Sequence, residues 1–337
     1  MNRIMHLTKL LLMAVVAVSL LLLSGCGGTK SPTPAAEAPK AKKIKVALVI
    51  PSTIDDLAWS QSMYEALKKN DQIELAVSER MGKPVDASAA IRQYATQDYD
   101  IIIAHGAQYY GILKEITPEF PKITFAYGTG AQSGPNIFAY EPQAQEGAYL
   151  LGLMAGKMSK SKTVGIVGPV EAGDAIKYNK GFQQGVAAAN ADTKLRIAYT
   201  GSFGDLVKAA EIAKTHMDAG ADILTGSSQQ VPGAIKAVAA KPGVYWLSTD
   251  MDQSSIAPET VLAAQTYNWE KIVNKIIELR KGGTIGGQTM ALSFADGTLE
   301  LKYNPKLADK IPQDVKEAVE KAKQDIASGA LKIDTSK

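Results

Sequence analysis

The chain is poor in the residues that most often carry chemistry. Among its 337 residues there is one cysteine, Cys26, and there are three histidines, His6, His105 and His216. A lone cysteine excludes an intramolecular disulfide and a thiolate-built metal site. No H-E-x-x-H string and no G-x-S-x-G elbow is present, so two common hydrolase signatures are missing. An excess of one charge is missing too. The formal net charge is +3, falling to +1 once Arg3 and Lys9 leave with the first 25 residues. That balance gives no electrostatic reason to expect a nucleic-acid partner. Beyond residue 23 there is no long apolar run, and nothing in the body reads as a membrane-spanning helix. Two glycine-rich strings approach phosphate-binding loops and fail. Residues 152–157 are one residue short of the P-loop spacing, and Gly128-Thr129-Gly130 with Gly134 opens no helix. No catalytic residue, metal or cofactor is therefore expected.

What is present begins at the N-terminus. Arg3 and Lys9 precede an apolar run over residues 10–23, which ends in Leu23-Ser24-Gly25-Cys26. The run is short of the roughly 20 residues of a membrane span, and its order of charge, apolar core and small residues is that of an export signal. With a cysteine placed directly after, it resembles a bacterial lipobox, in which a signal peptidase cuts before a cysteine carrying a diacylglyceryl group. Residues 1–25 are thus expected to be a lipoprotein signal peptide. Cys26 is then the lipidated first residue of the mature chain, held on the extracytoplasmic face of a cell membrane. Residues 26–43 carry glycine, proline, alanine and lysine and no large apolar side chain. Such a segment cannot offset its ordering entropy and is expected to be a flexible linker.

The body alternates. Apolar, β-branched strands are expected at residues 44–50, 99–104, 123–127, 136–140, 163–167, 196–200, 222–225 and 244–248. Helical spacing is expected at 56–69, 145–157, 178–190 and 206–219. Near-continuous apolar strands between amphipathic helices indicate parallel sheets covered on both faces. The pattern runs through two blocks, so the expected α/β fold is two doubly wound parallel-sheet lobes joined by a hinge. Residues 44–139 plus 251–283 are expected in the N-terminal lobe, and 140–250 plus 284–337 in the C-terminal lobe. Ligands of such sheets sit beyond the carboxyl ends of the strands. Those ends carry 51–56, 105–107, 128–130, 168–170, 202–205, 226–229 and 249–253, a mixture of glycines, hydroxyls, carboxylates and a few aromatics. Turn chemistry explains each small residue singly; together they suit a neutral, flat ligand with hydrogen-bonding edges.

Longer strings carry a resemblance. They are Asp55-Asp56-Leu57-Ala58-Trp59-Ser60-Gln61, Gln145-Glu146-Gly147-Ala148-Tyr149-Leu150-Leu151-Gly152, Gly181-Phe182-Gln183-Gln184-Gly185, Gly201-Ser202-Phe203-Gly204-Asp205 and Thr249-Asp250-Met251-Asp252-Gln253. In this order, with the lipobox, the chain resembles the basic membrane protein family of substrate-binding lipoproteins, which serve ABC importers and mainly bind purine nucleosides or bases. The resemblance implies a type I periplasmic-binding-protein fold, a monomer, an ABC permease as partner and no enzymatic activity. It also implies an acidic ligand residue at Asp250 and a ribose-holding lysine at a position where Tyr267 stands. That departure is similar to a branch that binds free bases. The expected ligand-binding residues are Asp56, Trp59, Gly106, Phe203, Ser227, Asp250 and Tyr267, with Trp59 and Phe203 able to sandwich a purine ring. Plainer roles stand beside these: Trp59 as helix core, Phe203 as hinge packing, Asp56 as an N-cap. A ligand sensor without transport, and a cleft enzyme such as a nucleoside hydrolase using Asp56 and Asp250, are the alternatives.

Overall fold

The computed structural model describes residues 42–336. The expected signal peptide, the lipidation residue Cys26 and nearly all of the expected linker lie outside the described residues. Two six-stranded sheets organise the rest. The first has the order β2–β1–β3–β4–β5–β11, from β1 (Ile44–Val49), β2 (Ile73–Ser78), β3 (Ile101–Ala104), β4 (Thr124–Gly128), β5 (Ile137–Pro142) and β11 (Thr289–Leu292). The second repeats it as β7–β6–β8–β9–β10–β12, from β6 (Thr163–Gly168), β7 (Lys194–Tyr199), β8 (Ile223–Gly226), β9 (Tyr245–Ser248), β10 (Val261–Tyr267) and β12 (Leu299–Tyr303). All neighbours are parallel except β10 and β12. Helices cover the faces, as parallel sheets require: α1 (Trp59–Lys68), α2 (Pro84–Thr96), α3 (Tyr110–Ile116), α4 (Ala144–Met158), α5 (Gly173–Ala189), α6 (Leu206–Asp218), α7 (Val231–Ala239), α8 (Trp269–Lys281) and α9 (Gln313–Ala327).

Strand pairing departs from the expected lobe boundaries in two places. β10 was placed with the N-terminal block but pairs in the second sheet, beside β9 and β12. β11 was placed with the C-terminal block but pairs with β5 in the first. Local pattern says that a segment is a strand; which sheet accepts it is decided by tertiary pairing. The helix between them, α8, does join the first lobe. The Trp269 indole N–H donates to Ser62 Oγ at 2.9 Å, and Arg280 reaches Asp100 at 3.1 Å.

Three segments cross between the lobes: Gln143 after β5, Asn268 after β10, and residues 293–298 between β11 and β12. They run side by side. The Gln143 amide donates to Leu292 O and the Asn268 amide to Thr298 O, each at 2.8 Å. The Phe294 amide donates to Glu146 Oε2 at 2.9 Å, and burial pushes that carboxyl up to about 7.

Behind the second sheet α4 and α5 touch backbone to backbone. A Cβ built on Gly152 would fall on the Phe182 carbonyl, one on Gly181 on the Gln145 carbonyl, and one on Gly185 on the Tyr149 carbonyl. Only glycine permits this approach. The two helices start at Ala144 and at Gly173, next to Asp174.

Candidate ligand-binding cleft

The strand ends of the two lobes enclose one cavity of about 410 Å³, within the roughly 300–1,000 Å³ of small-molecule sites. On the first lobe, the chain leaving β1 turns through Leu57 at φ 54°. Asp56 sits before that turn, and its carboxylate accepts the amides of Ala58, Ser60 and Gln61 at 3.0–3.1 Å. The N-cap residue is Ala58, and the Asp56 carboxylate two positions earlier satisfies the first-turn amides of α1. Trp59 then lies flat on His105, ring centroids 4.1 Å apart and planes 5° apart. Its indole N–H donates to His105 O at 3.1 Å. His105 Nε2 faces the Trp59 carbonyl at 3.1 Å and Nδ1 faces the Tyr140 hydroxyl at 2.8 Å. A carbonyl can only accept, so Nε2 carries the proton and Nδ1 accepts from Tyr140. Burial lowers the His105 pKa to about 3, so the ring is neutral. Trp269 stands edge-on to both Trp59 and His105. The result is a platform whose members hold each other.

The second lobe supplies a different wall. Phe203 follows β7 and is 49% exposed. Its loop is pinned by Thr200 Oγ, which donates to Ser202 O at 2.8 Å, and by Asp205, which caps α6. Ser227 and Ser228 follow β8; Thr249 and Asp250 follow β9. Ser228 and Asp250 have φ of 72° and 73°, a conformation that costs L-residues energy and concentrates at functional sites. Asp250 is 6% exposed. Burial, then the charge of Asp56, pushes its carboxyl up to about 7, against a backbone hydrogen bond from Ser228. Asp174, in the first turn of α5, is also pushed up to about 7 by burial, with Lys177 opposing. Tyr178 packs beside it with its hydroxyl 2.5 Å from Thr225 Oγ. Tyr267, ending β10, accepts from Gln265 Nε2 at 2.9 Å.

Six expected residues line the cavity: Trp59, Gly106, Phe203, Ser227, Asp250 and Tyr267. Asp56 does not. It is spent on the amides at the start of α1, and reaches the cavity only through its charge on Asp250. Sequence reasoning missed His105, Asp174, Tyr178, Ser228 and Thr249, which also line it. His105, Ser228 and Thr249 stood in the strand-end strings and could have been raised. Asp174 was hidden because helical spacing starts α5 at residue 178, five residues after its actual start at Gly173. An acidic residue just after a glycine is a helix-start signal that could have found it. His216 is no part of the site: it is buried, with Nε2 3.0 Å from Ile166 O.

The profile of the Bmp family, described as ABC transporter substrate-binding protein PnrA-like, matches residues 43–336. The chain belongs to this family. Among its relatives is a purine-binding protein of Brucella abortus, 26% identical and covering 86% of this chain and 83% of the relative. Basic membrane protein A of Borreliella burgdorferi is also 26% identical, covering 88% of each. A Bacillus subtilis protein called transcriptional activator protein med is 25% identical, covering 86% of this chain and 89% of its own. The fold recurs in a solute-binding protein of an ABC transporter system from Conexibacter woesei. Its TM-score is 0.74 at 24% identity, covering 87% of this chain and 99% of that one. One from Aeropyrum pernix has a TM-score of 0.78 at 19% identity, covering 87% and 94%. Bmp-family membership and the two like-ordered sheets agree on a type I binding-protein architecture with the ligand cleft between lobes. Among the described residues no helix is long and apolar enough to cross a membrane.

Proposed function

We propose that this chain is the extracytoplasmic, lipid-anchored binding component of an ABC importer, and that it captures a purine base between its lobes. The observation that carries the reading is the pairing of walls. His105 covers one face of Trp59, which lines the cavity, while Phe203 stands half-exposed on the opposite lobe. Contacts drawn from both lobes let ligand binding favour a closed form, which the permease would recognise. The Brucella relative's name supports the purine class. Tyr267 supports a base over a nucleoside: it is neutral, buried and bonded to Gln265, where a ribose-holding lysine stands in the family's nucleoside binders. Asp250 then serves the base.

Calorimetric titration with adenine, guanine, hypoxanthine and their nucleosides tests this. Bases should bind more tightly, raise the melting temperature with the logarithm of free ligand above Kd and reduce the radius of gyration. Tighter nucleoside binding overturns the base assignment; no binding by either class overturns the purine reading. The anchor is tested by Cys26→Ser, which should abolish lipid labelling. A variant that stays in the membrane fraction at mature mass and fully labelled removes the lipobox reading.

A further inference from the structure

The second-lobe wall is acidic in a way that stacking does not use. Asp174 and Asp250 both line the cavity, and Oδ2 of each is buried without a hydrogen-bond partner. Beside them Ser227 Oγ and Thr249 Oγ, on residues 7% and 1% exposed, are buried and unpartnered as well. Among the described residues that line the cavity none is lysine or arginine. The nearest compensating charge is Lys177, 3.7 Å from Asp174 Oδ1. It is shared, because the same ammonium is bonded to Glu141 beside the first crossover. A buried carboxylate oxygen left without a donor is costly. An ionised carboxylate can only accept, so what satisfies it must bring N–H or O–H groups.

We propose that Asp174 is a specificity-determining residue which, with Asp250, reads hydrogen-bond donors on the ring edge, so that the ligand is an amino-substituted purine. This rests on the purine reading and narrows it. A ring whose edge offers only acceptors or a methyl group would leave both oxygens orphaned. An anionic ligand would face two carboxyl groups and no lining cation, with the charge of Asp56 already acting on Asp250. The raised pKa values agree: at neutral pH both groups are poised to release a proton when a donor arrives.

Adenine and 6-methylpurine test the proposal, because amino and methyl groups have similar size and only one donates. The full mature chain should bind adenine about ten- to hundredfold more tightly. Asp174→Ala should bring that ratio to within about threefold while 6-methylpurine binding is kept, and Asp174→Asn, which retains an acceptor oxygen, should restore part of the ratio. If Asp174 serves only as the partner of Lys177, Asp174→Ala lowers the melting temperature and weakens both ligands equally, which overturns the proposal. So does a wild-type ratio near one with tight binding of both, which leaves the purine reading standing. Binding of neither ligand removes that reading and this proposal with it.

Discussion

The two walls of the cleft are built from equivalent strand ends on sheets of the same strand order, yet they are finished to different degrees. On the first lobe the Trp59 indole, both His105 nitrogens and the Tyr140 hydroxyl are all paired with one another or with backbone. On the second, Asp174, Ser227, Thr249 and Asp250 each keep a buried atom without a partner; positive φ occurs on both, at Leu57 and Thr129 and at Ser228 and Asp250. The first wall draws its order from its own packing, which makes it a preformed surface. The second carries unmet hydrogen-bonding demand, which the fold tolerates because other regions are well packed. Stability and recognition are thus divided between lobes.

The largest break in that division should come from His105→Ala. It removes a fully buried ring, its stack on Trp59 and two hydrogen bonds. Chemical denaturation should show a loss of about 3–5 kcal/mol, with ligand binding falling in parallel because Trp59 loses its support. A loss under about 1 kcal/mol would mean that the platform is not self-supporting.

Asp250→Asn should act in the opposite direction. The folded-state pKa lies near 7, above the ordinary value of 3.8. The stability held by the protonated form is therefore full below the ordinary value of 3.8 and lost progressively as pH rises from there to about 7. The ligand-free variant should gain on wild type from about pH 4 upward, its advantage near pH 8 exceeding that near pH 4 by about 1–3 kcal/mol, while binding weakens. Equal melting temperatures at both pH values would show that Asp250 is not strained by burial.

The smallest and cleanest effect belongs to Phe203→Ala. A half-exposed ring on a pinned loop adds little to folding, and stability should change by less than about 0.5 kcal/mol. Affinity for a flat base should fall roughly two- to tenfold, the worth of one aromatic pair. Affinity that is unchanged in titration would take Phe203 out of the site.

The same division explains what could be read in the amino-acid sequence. The two-lobed α/β architecture was legible because apolar strands and amphipathic helices announce themselves locally. Phe203, Ser227 and Asp250 stood in the strand-end strings, whereas Trp59 and Tyr267 were reached through the family resemblance; all five line the cavity. β2 went unread: it is an edge strand with Ile73 buried, Glu74 exposed and its other residues half-buried, which blurs the apolar run. The exchange of β10 and β11 between sheets was not legible, because nothing local distinguishes the two acceptors. His105 was seen only as part of a turn string. Its role depends on Tyr140, 35 positions away, and on Trp269, contacts that only folding creates.

The glycine-lined contact of α4 and α5 places the remaining constraint. Gly152, Gly181 and Gly185 do not line the cavity, but each is opposed by a carbonyl where a methyl group would have to go. The two helices begin at Ala144 and Gly173-Asp174, which line the cavity. Widening their contact by one methyl therefore translates the cavity wall itself. In engineering terms the rim is permissive and the helix seam is not. New ligand preferences can be sought by exchanging side chains such as Phe203 or Asp174, whereas a single alanine at Gly185 would move the ruler against which all of them are set.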